Sequence, residues 1–121
     1  MRKNLTKGER IRRRGDIKML FASSSVSTRG LKIFFRENDQ DITRILVTPG
    51  RKYGNAVQRN YIKRVGKEIF RAQKSRMKSG YDVLFLFYPG SYTYDDRVNQ
   101  VIRLLSKTPV FPVGNANIPS I

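Results

Sequence analysis

Apolar positions recur along the chain with three distinct rhythms, and each predicts a different kind of element. Ile17, Leu20 and Phe21 stand at i, i+3 and i+4, which predicts a short helix from Asp16 to about Ala22, closed by the Ser23–Ser25 run. Leu31–Arg36 and Thr43–Thr48 alternate with a period of two and predict strands. The polar connection E-N-D-Q-D between them suits a turn, so the two are expected to pair antiparallel. Leu31, Ile33 and Phe35 share one face of the first strand, and Lys32, Phe34 and Arg36 the other. In the second strand Ile45 and Val47 oppose Arg44, Leu46 and Thr48. One side of such a sheet is core; the other is basic with an aromatic ring in its middle.

A long amphipathic helix is predicted to begin at Asn55, a good N-cap with Gln58 three residues on as in a capping box. At about 100° per residue, Ile62, Val65, Ile69 and Ala72 form its core stripe, with Phe70 and Met77 at the margin. Asn60, Lys63, Arg64, Lys67, Arg71, Lys74 and Lys78 occupy the opposite sector, an arc of roughly 100°. Gly80 closes the helix. Tyr81–Tyr88, Y-D-V-L-F-L-F-Y, is apolar on nearly every position and predicts a strand covered on both faces, the centre of the fold. After a Pro89-Gly90 turn, a last helix from Tyr94 to about Lys107 buries Val98, Val101, Ile102 and Leu105. Thr93 and Asp96 have capping-box spacing at its start. The pattern describes one mixed α/β domain over residues 15–108, a basic arm over 1–14 and an irregular tail over 109–121.

Charge changes the picture from a fold to a partner. The 121 residues carry 25 Lys and Arg against 9 Asp and Glu, a net charge of +16. The first fourteen residues hold seven cations against Glu9, and Arg51–Lys78 holds ten against Glu68. Helix faces normally mix signs at i,i+4, because like charges repel there. A polyanion, nucleic acid or anionic lipid, is expected to supply the missing charge. The aromatic and basic sheet face suits single-stranded RNA, in which rings stack on bases and cations meet phosphates.

Absent residue types narrow the chemistry. With no cysteine and no histidine, disulfides, thiolate nucleophiles and the commonest general base and metal ligand are all excluded. Asp95 and Asp96, the one adjacent acidic pair, fit a helix N-terminus better than a catalytic site. No catalytic residue and no protein-bound metal is therefore expected. G-R-K-Y-G-N lacks the spacing of a phosphate-binding P-loop. No apolar run approaches the roughly 20 residues of a membrane span, and the basic N-terminus lacks a signal-like apolar stretch, so a soluble cytoplasmic protein is expected. Composition alone leaves open a basic ribosomal or RNA-chaperone protein without processing activity, or a DNA-binding or membrane-surface module.

Three segments resemble the protein subunit of bacterial ribonuclease P: E-R-I-R-R-R-G-D-I-K-M-L-F, S-V-S-T-R-G and K-Y-G-N-A-V-Q-R-N-Y-I-K-R-V-G-K-E. The likeness runs from about Leu5 to Lys107, and the third segment resembles the family's arginine- and asparagine-rich signature helix. It implies a small α/β (α+β) domain of order αββ(β)αβα with a left-handed βαβ crossover. It also implies a ribonucleoprotein in which the RNA subunit, using Mg2+ that it mainly binds itself, cleaves the 5′ leader from precursor tRNA. Ribonuclease P RNA and precursor tRNA are then the partners, and DNA and membranes are not. Mapped onto this chain, Arg59, Asn60, Lys63, Arg64 and Lys67, with Arg51 and Lys52, contact the catalytic RNA. The resemblance further implies that a cleft of Ile17, Phe21, Phe34, Arg29, Arg44 and Thr48 holds the single-stranded leader. The chain departs from the family pattern at four places. Tyr61 replaces the second arginine of the usual R-N-R, Ile17 stands where an aromatic is common, Gly66 interrupts the helix, and Pro49-Gly50 replaces residues that usually continue the strand.

Overall fold

The computed structural model describes residues 7–111. After a 3-10 turn at Lys7–Glu9 come α1 (Arg14–Phe21), β1 (Ser24–Thr28), β2 (Leu31–Glu37), β3 (Arg44–Pro49) and α2 (Ala56–Gln73). A second 3-10 turn (Lys74–Arg76), β4 (Tyr81–Phe87) and α3 (Tyr94–Leu105) complete the order. Both expected capping boxes form: Asn55 with Gln58 starts α2, and Thr93 with Asp96 starts α3.

The sheet runs β1-β2-β4-β3, so β2 and β3 do not pair as a hairpin. β4 inserts between them, antiparallel to β2 and parallel to β3. The reason lies in its composition. Tyr81–Phe85 and Phe87 are buried, and only a central strand has apolar cover on both faces. β1 is an additional edge strand antiparallel to β2. Its sequence, S-S-V-S-T, carries one large apolar residue, so hydrophobic alternation did not announce it. β3 is the other edge, where Pro49 needs no ladder donor.

The two faces of the sheet carry two cores. α2 packs on β3, and α3 packs on β1 and β2, over Leu31, Ile33, Ile45, Val47, Val83, Phe85 and Phe87. The opposite face puts Phe34 and Leu84 beneath Leu20 of α1, with Ile11 at the side. α2 buries Ile62, Val65, Gly66, Ile69 and Phe70, while Ala72, expected in the stripe, is exposed. Gly66 explains the shift. A Cβ there would lie 2.6 Å from Val47 Cγ1 and 2.9 Å from Phe87 Cε2, so only glycine lets the helix backbone settle on the sheet and roll Phe70 inward.

Both termini of the domain extend beyond the expected limits. Ile11 N–H donates to Ile45 O at 3.2 Å, and Arg10 bridges Ile45, so the inner part of the basic arm lies along the β3 edge. Glu9 is buried and forms an ion pair with Lys74. In the expected tail, Val110 and Phe111 are buried in the main core, and Lys78 N–H donates to Val110 O at 2.7 Å. The rest of the arm, 1–6, and of the tail, 112–121, lies outside the described residues.

Buried Arg97 fastens one end of the sheet. Its guanidinium donates to Gly30 O (2.9 Å), Tyr88 O (2.8 Å) and Tyr53 Oη (3.0 Å), and stacks 4.5 Å from the Tyr92 ring centroid. Gly30 has φ of +87°, and a side chain there would strike Tyr92, so the β1–β2 turn depends on glycine.

Candidate nucleic-acid interfaces

Register across the sheet determines which side chains share the α1 face. Three rows cross it: Arg36–Asp82–Arg44, then Ser25–Phe34–Leu84–Leu46, then Ser27–Lys32–Leu86–Thr48. α1 covers much of the first two. Lys32, Leu86 and Thr48 in the third row remain half-buried, on the part of the face where the leader cleft is expected.

Of the expected cleft residues, Phe21 is the accessible aromatic, 47% exposed. Phe34 is not accessible: it is only 6% exposed, with the Phe21 ring edge-on at 5.2 Å and Lys32 Nζ 5.0 Å from its centroid. Phe34 is therefore a support for Phe21 and Lys32 rather than a surface for stacking a base. Ile17 packs partly into the same cluster, Thr48 sits half-buried in the third row, and Arg29 lies exposed in the β1–β2 turn at the same end. Lys32 and Leu86 stand in the same row as Thr48 but were not among the expected cleft residues. Alternation placed Lys32 on this face, but β4 had to be located next to β2 before Leu86 could join it.

Arg44 is brought to this face with most of its charge already matched. Its Nε and Nη2 donate to Asp82 at 2.7 and 2.6 Å, and Nη2 also reaches Asp16 at 3.4 Å. The hydrogen bond to Asp82 holds its pKa above the ordinary arginine value, against the opposing effect of burial. Asp82 has no exposed side-chain surface and takes a further bond from Asn38 Nδ2 at 2.9 Å. Arg44 thus ties α1 to the sheet through Asp16. It is not a free phosphate ligand.

The second surface is the outward face of α2. Asn60 and Arg64 are exposed and Lys63 and Lys67 half-buried, in one sector, while Arg51 and Lys52 are exposed in the loop that leads in. Arg59 turns toward the domain, where Nη1 donates to Gly50 O at 3.0 Å. Burial pushes the Lys67 pKa below its ordinary value, and the neighbouring charges of Arg10, Lys63 and Arg71 depress it further. That crowding is what an anion would relieve. Arg10, pinned to the β3 edge, joins the cations of α2 near Lys67. Its place was not legible in the sequence, because the arm gave no periodic signal.

Among the described residues no three Asp or Glu side chains gather where they could hold a metal ion. No helix among them is long and apolar enough to cross a membrane.

Comparison with known proteins gives a consistent result. The family model described as Ribonuclease P matches residues 5–108. The ribonuclease P protein component of Syntrophus aciditrophicus is 37% identical over 108 residues, spanning 87% of this chain and 91% of that one. That of Thermotoga maritima is 33% identical over 87 residues, 71% of this chain and 74% of that one. Among solved structures, the Staphylococcus aureus RNase P protein aligns with a TM-score of 0.78 at 28% identity, covering 87% of this chain and 99% of that one. The T. maritima RNase P protein gives 0.73 at 28% identity, covering 83% and 97%.

Proposed function

Because this chain belongs to the ribonuclease P protein family, we propose that it is the binding subunit of a ribonucleoprotein whose RNA component removes the 5′ leader of precursor tRNA. The division of labour follows from the side chains. A phosphodiesterase site needs a group to move protons or ions to polarise phosphate. This chain has no histidine or cysteine, and its described carboxylates do not cluster. The residues present do not fit a divalent ion, and we assign the Mg2+ of the reaction to the RNA.

The observation that carries the proposal is the crowding of cations around Lys67, on a helix face flanked by one acid over ten basic residues. Each phosphate neutralised there releases counterions and gains affinity that falls with salt. Arg51, Lys52, Asn60, Lys63, Arg64 and Lys67 are the proposed contacts with the catalytic RNA, with Arg59 reaching it from its anchored position. The cleft formed by Ile17, Phe21, Lys32, Leu86 and Thr48, with Arg29 at its end, takes the single-stranded leader: Phe21 offers a ring to a base, and Lys32 and Arg29 offer charge to phosphates. Phe34 and Arg44 shape that cleft from beneath. The protein acts in the cytoplasm on precursor tRNA, without DNA or membrane as a partner.

Reconstitution tests this. Protein freed of RNA is expected to leave precursor tRNA intact, and the same protein added to a bacterial ribonuclease P RNA at low magnesium is expected to stimulate leader removal. Cleavage by RNA-free protein, or no stimulation by folded protein, would overturn the proposal.

A further inference from the structure

We infer that a recess between the first turns of α2 and the loop after β4 holds one unpaired nucleotide of the bound RNA, its base stacked on Tyr61; this rests on the RNA-binding role proposed above. The recess has a volume of about 430 Å³ and is lined by Tyr53, Val57, Gln58, Tyr61, Pro89 and Gly90. That lies in the lower part of the roughly 300–1,000 Å³ range of ligand pockets, a size suited to a base with its sugar rather than to a helix or strand.

The walls are apolar where the fold does not require it. Val57 is 76% exposed and Tyr61 50% exposed, one helical turn apart, and neither belongs to either core. The back of the recess is rigid. Tyr53 Oη accepts a hydrogen bond from buried Arg97 at 3.0 Å, and Gln58 Oε1 accepts from Asn55 N–H at 2.9 Å in the capping box. A preformed aromatic slot binds with little ordering cost.

Charge selects the occupant. Arg64 lies 5.5 Å from the Tyr61 ring centroid, on the cationic face that continues through Asn60, Lys63 and Lys67. From Arg51 to Lys67 the sequence contains no acid. An aromatic recess beside Arg64, on a helix stretch without acids, matches a base on a phosphate backbone, and disfavours a basic protein segment or a second copy of this chain. Every base has a π-face, so this site stacks without reading a particular sequence.

The test uses the full chain with ribonuclease P RNA over a range of salt concentrations. Tyr61→Ala is expected to bind about 5- to 150-fold more weakly, the equivalent of one lost stacked base. The slope of log affinity against log salt should stay unchanged, because no phosphate contact is removed. Tyr61→Phe should bind like the parent protein, and Tyr61→Leu like the alanine variant. A photo-crosslinker at Val57 should map to an unpaired nucleotide. If the parent protein binds this RNA and Tyr61→Ala and Tyr61→Leu, folded by thermal unfolding, bind equally well, the recess is not a nucleotide site. A Val57 crosslink confined to base-paired RNA or to protein would likewise overturn it. Failure of the parent protein to bind the RNA at all would instead strike the proposed function.

Discussion

Replacing Gly66 with alanine separates two opposing effects whose sum is set by the tertiary structure. In an isolated helix the change would stabilise by about 1 kcal/mol, the propensity difference between the two residues. In this protein the new Cβ would stand 2.6 and 3.0 Å from the two Val47 methyl carbons and 2.9 Å from Phe87 Cε2. Carbon atoms rest at about 3.5–4.0 Å, so α2 would have to lift by nearly 1 Å or Val47 leave its rotamer. Neither neighbour yields readily: both are buried in the main core, and a β-branched valine is stiff at χ1. Overpacking of this kind costs about 1–3 kcal/mol, and two rigid neighbours place it in the upper part of that range. The net expectation is a loss of about 1–2 kcal/mol, or roughly 5–15 °C in Tm for a domain of this size. Thermal and urea unfolding of Gly66→Ala measure it. In a Val47→Ala background, where the clashing methyls are gone, the same change should cost little or stabilise. A Tm for Gly66→Ala above that of the parent protein, or identical effects in both backgrounds, would refute the close helix–sheet contact.

Lys67→Met should raise the thermal stability of the free protein at neutral pH while weakening RNA binding. The lysine pKa is depressed below 10.5, so its charged form burdens the fold at neutral pH and is relieved as pH rises toward that value; parent stability should gain in that alkaline window and the variant should not. Arg44→Met should cost about 3 kcal/mol by leaving buried Asp82 underpaired, though Asn38 and Arg36 still face it; denaturant unfolding checks this, and Arg44→Met with Asp82→Leu should recover part of the loss. Phe21→Ala should keep the fold and reduce the preference for leader-bearing over mature tRNA by about 1–3 kcal/mol, whereas Phe34→Ala should cost about 3–5 kcal/mol in stability, read by competition binding and thermal melts respectively.

What depends on local spacing was already present in the sequence: the two capping boxes, the alternation that puts Lys32, Phe34, Arg44 and Thr48 on one face, the doubly apolar β4, and the sector of cations on α2. These follow from the 3.6 and 2.0 periods of the backbone, which need no knowledge of neighbours. Family resemblance rested on the same local signals. The tertiary structure alone decided the rest. β4 displaced the expected β2–β3 pairing because its two apolar faces needed cover on both sides. Gly66, costly for a helix taken alone, became the point of closest approach between α2 and the sheet. Arg44 and Phe34 left the expected binding surface for its foundation, one neutralised by an aspartate 38 residues away and the other covered by α1. Arg10 left the arm to join the cations around Lys67. A side chain's type and face are local properties, but whether its charge or ring is still free to meet a ligand depends on what the fold brings against it from distant parts of the chain.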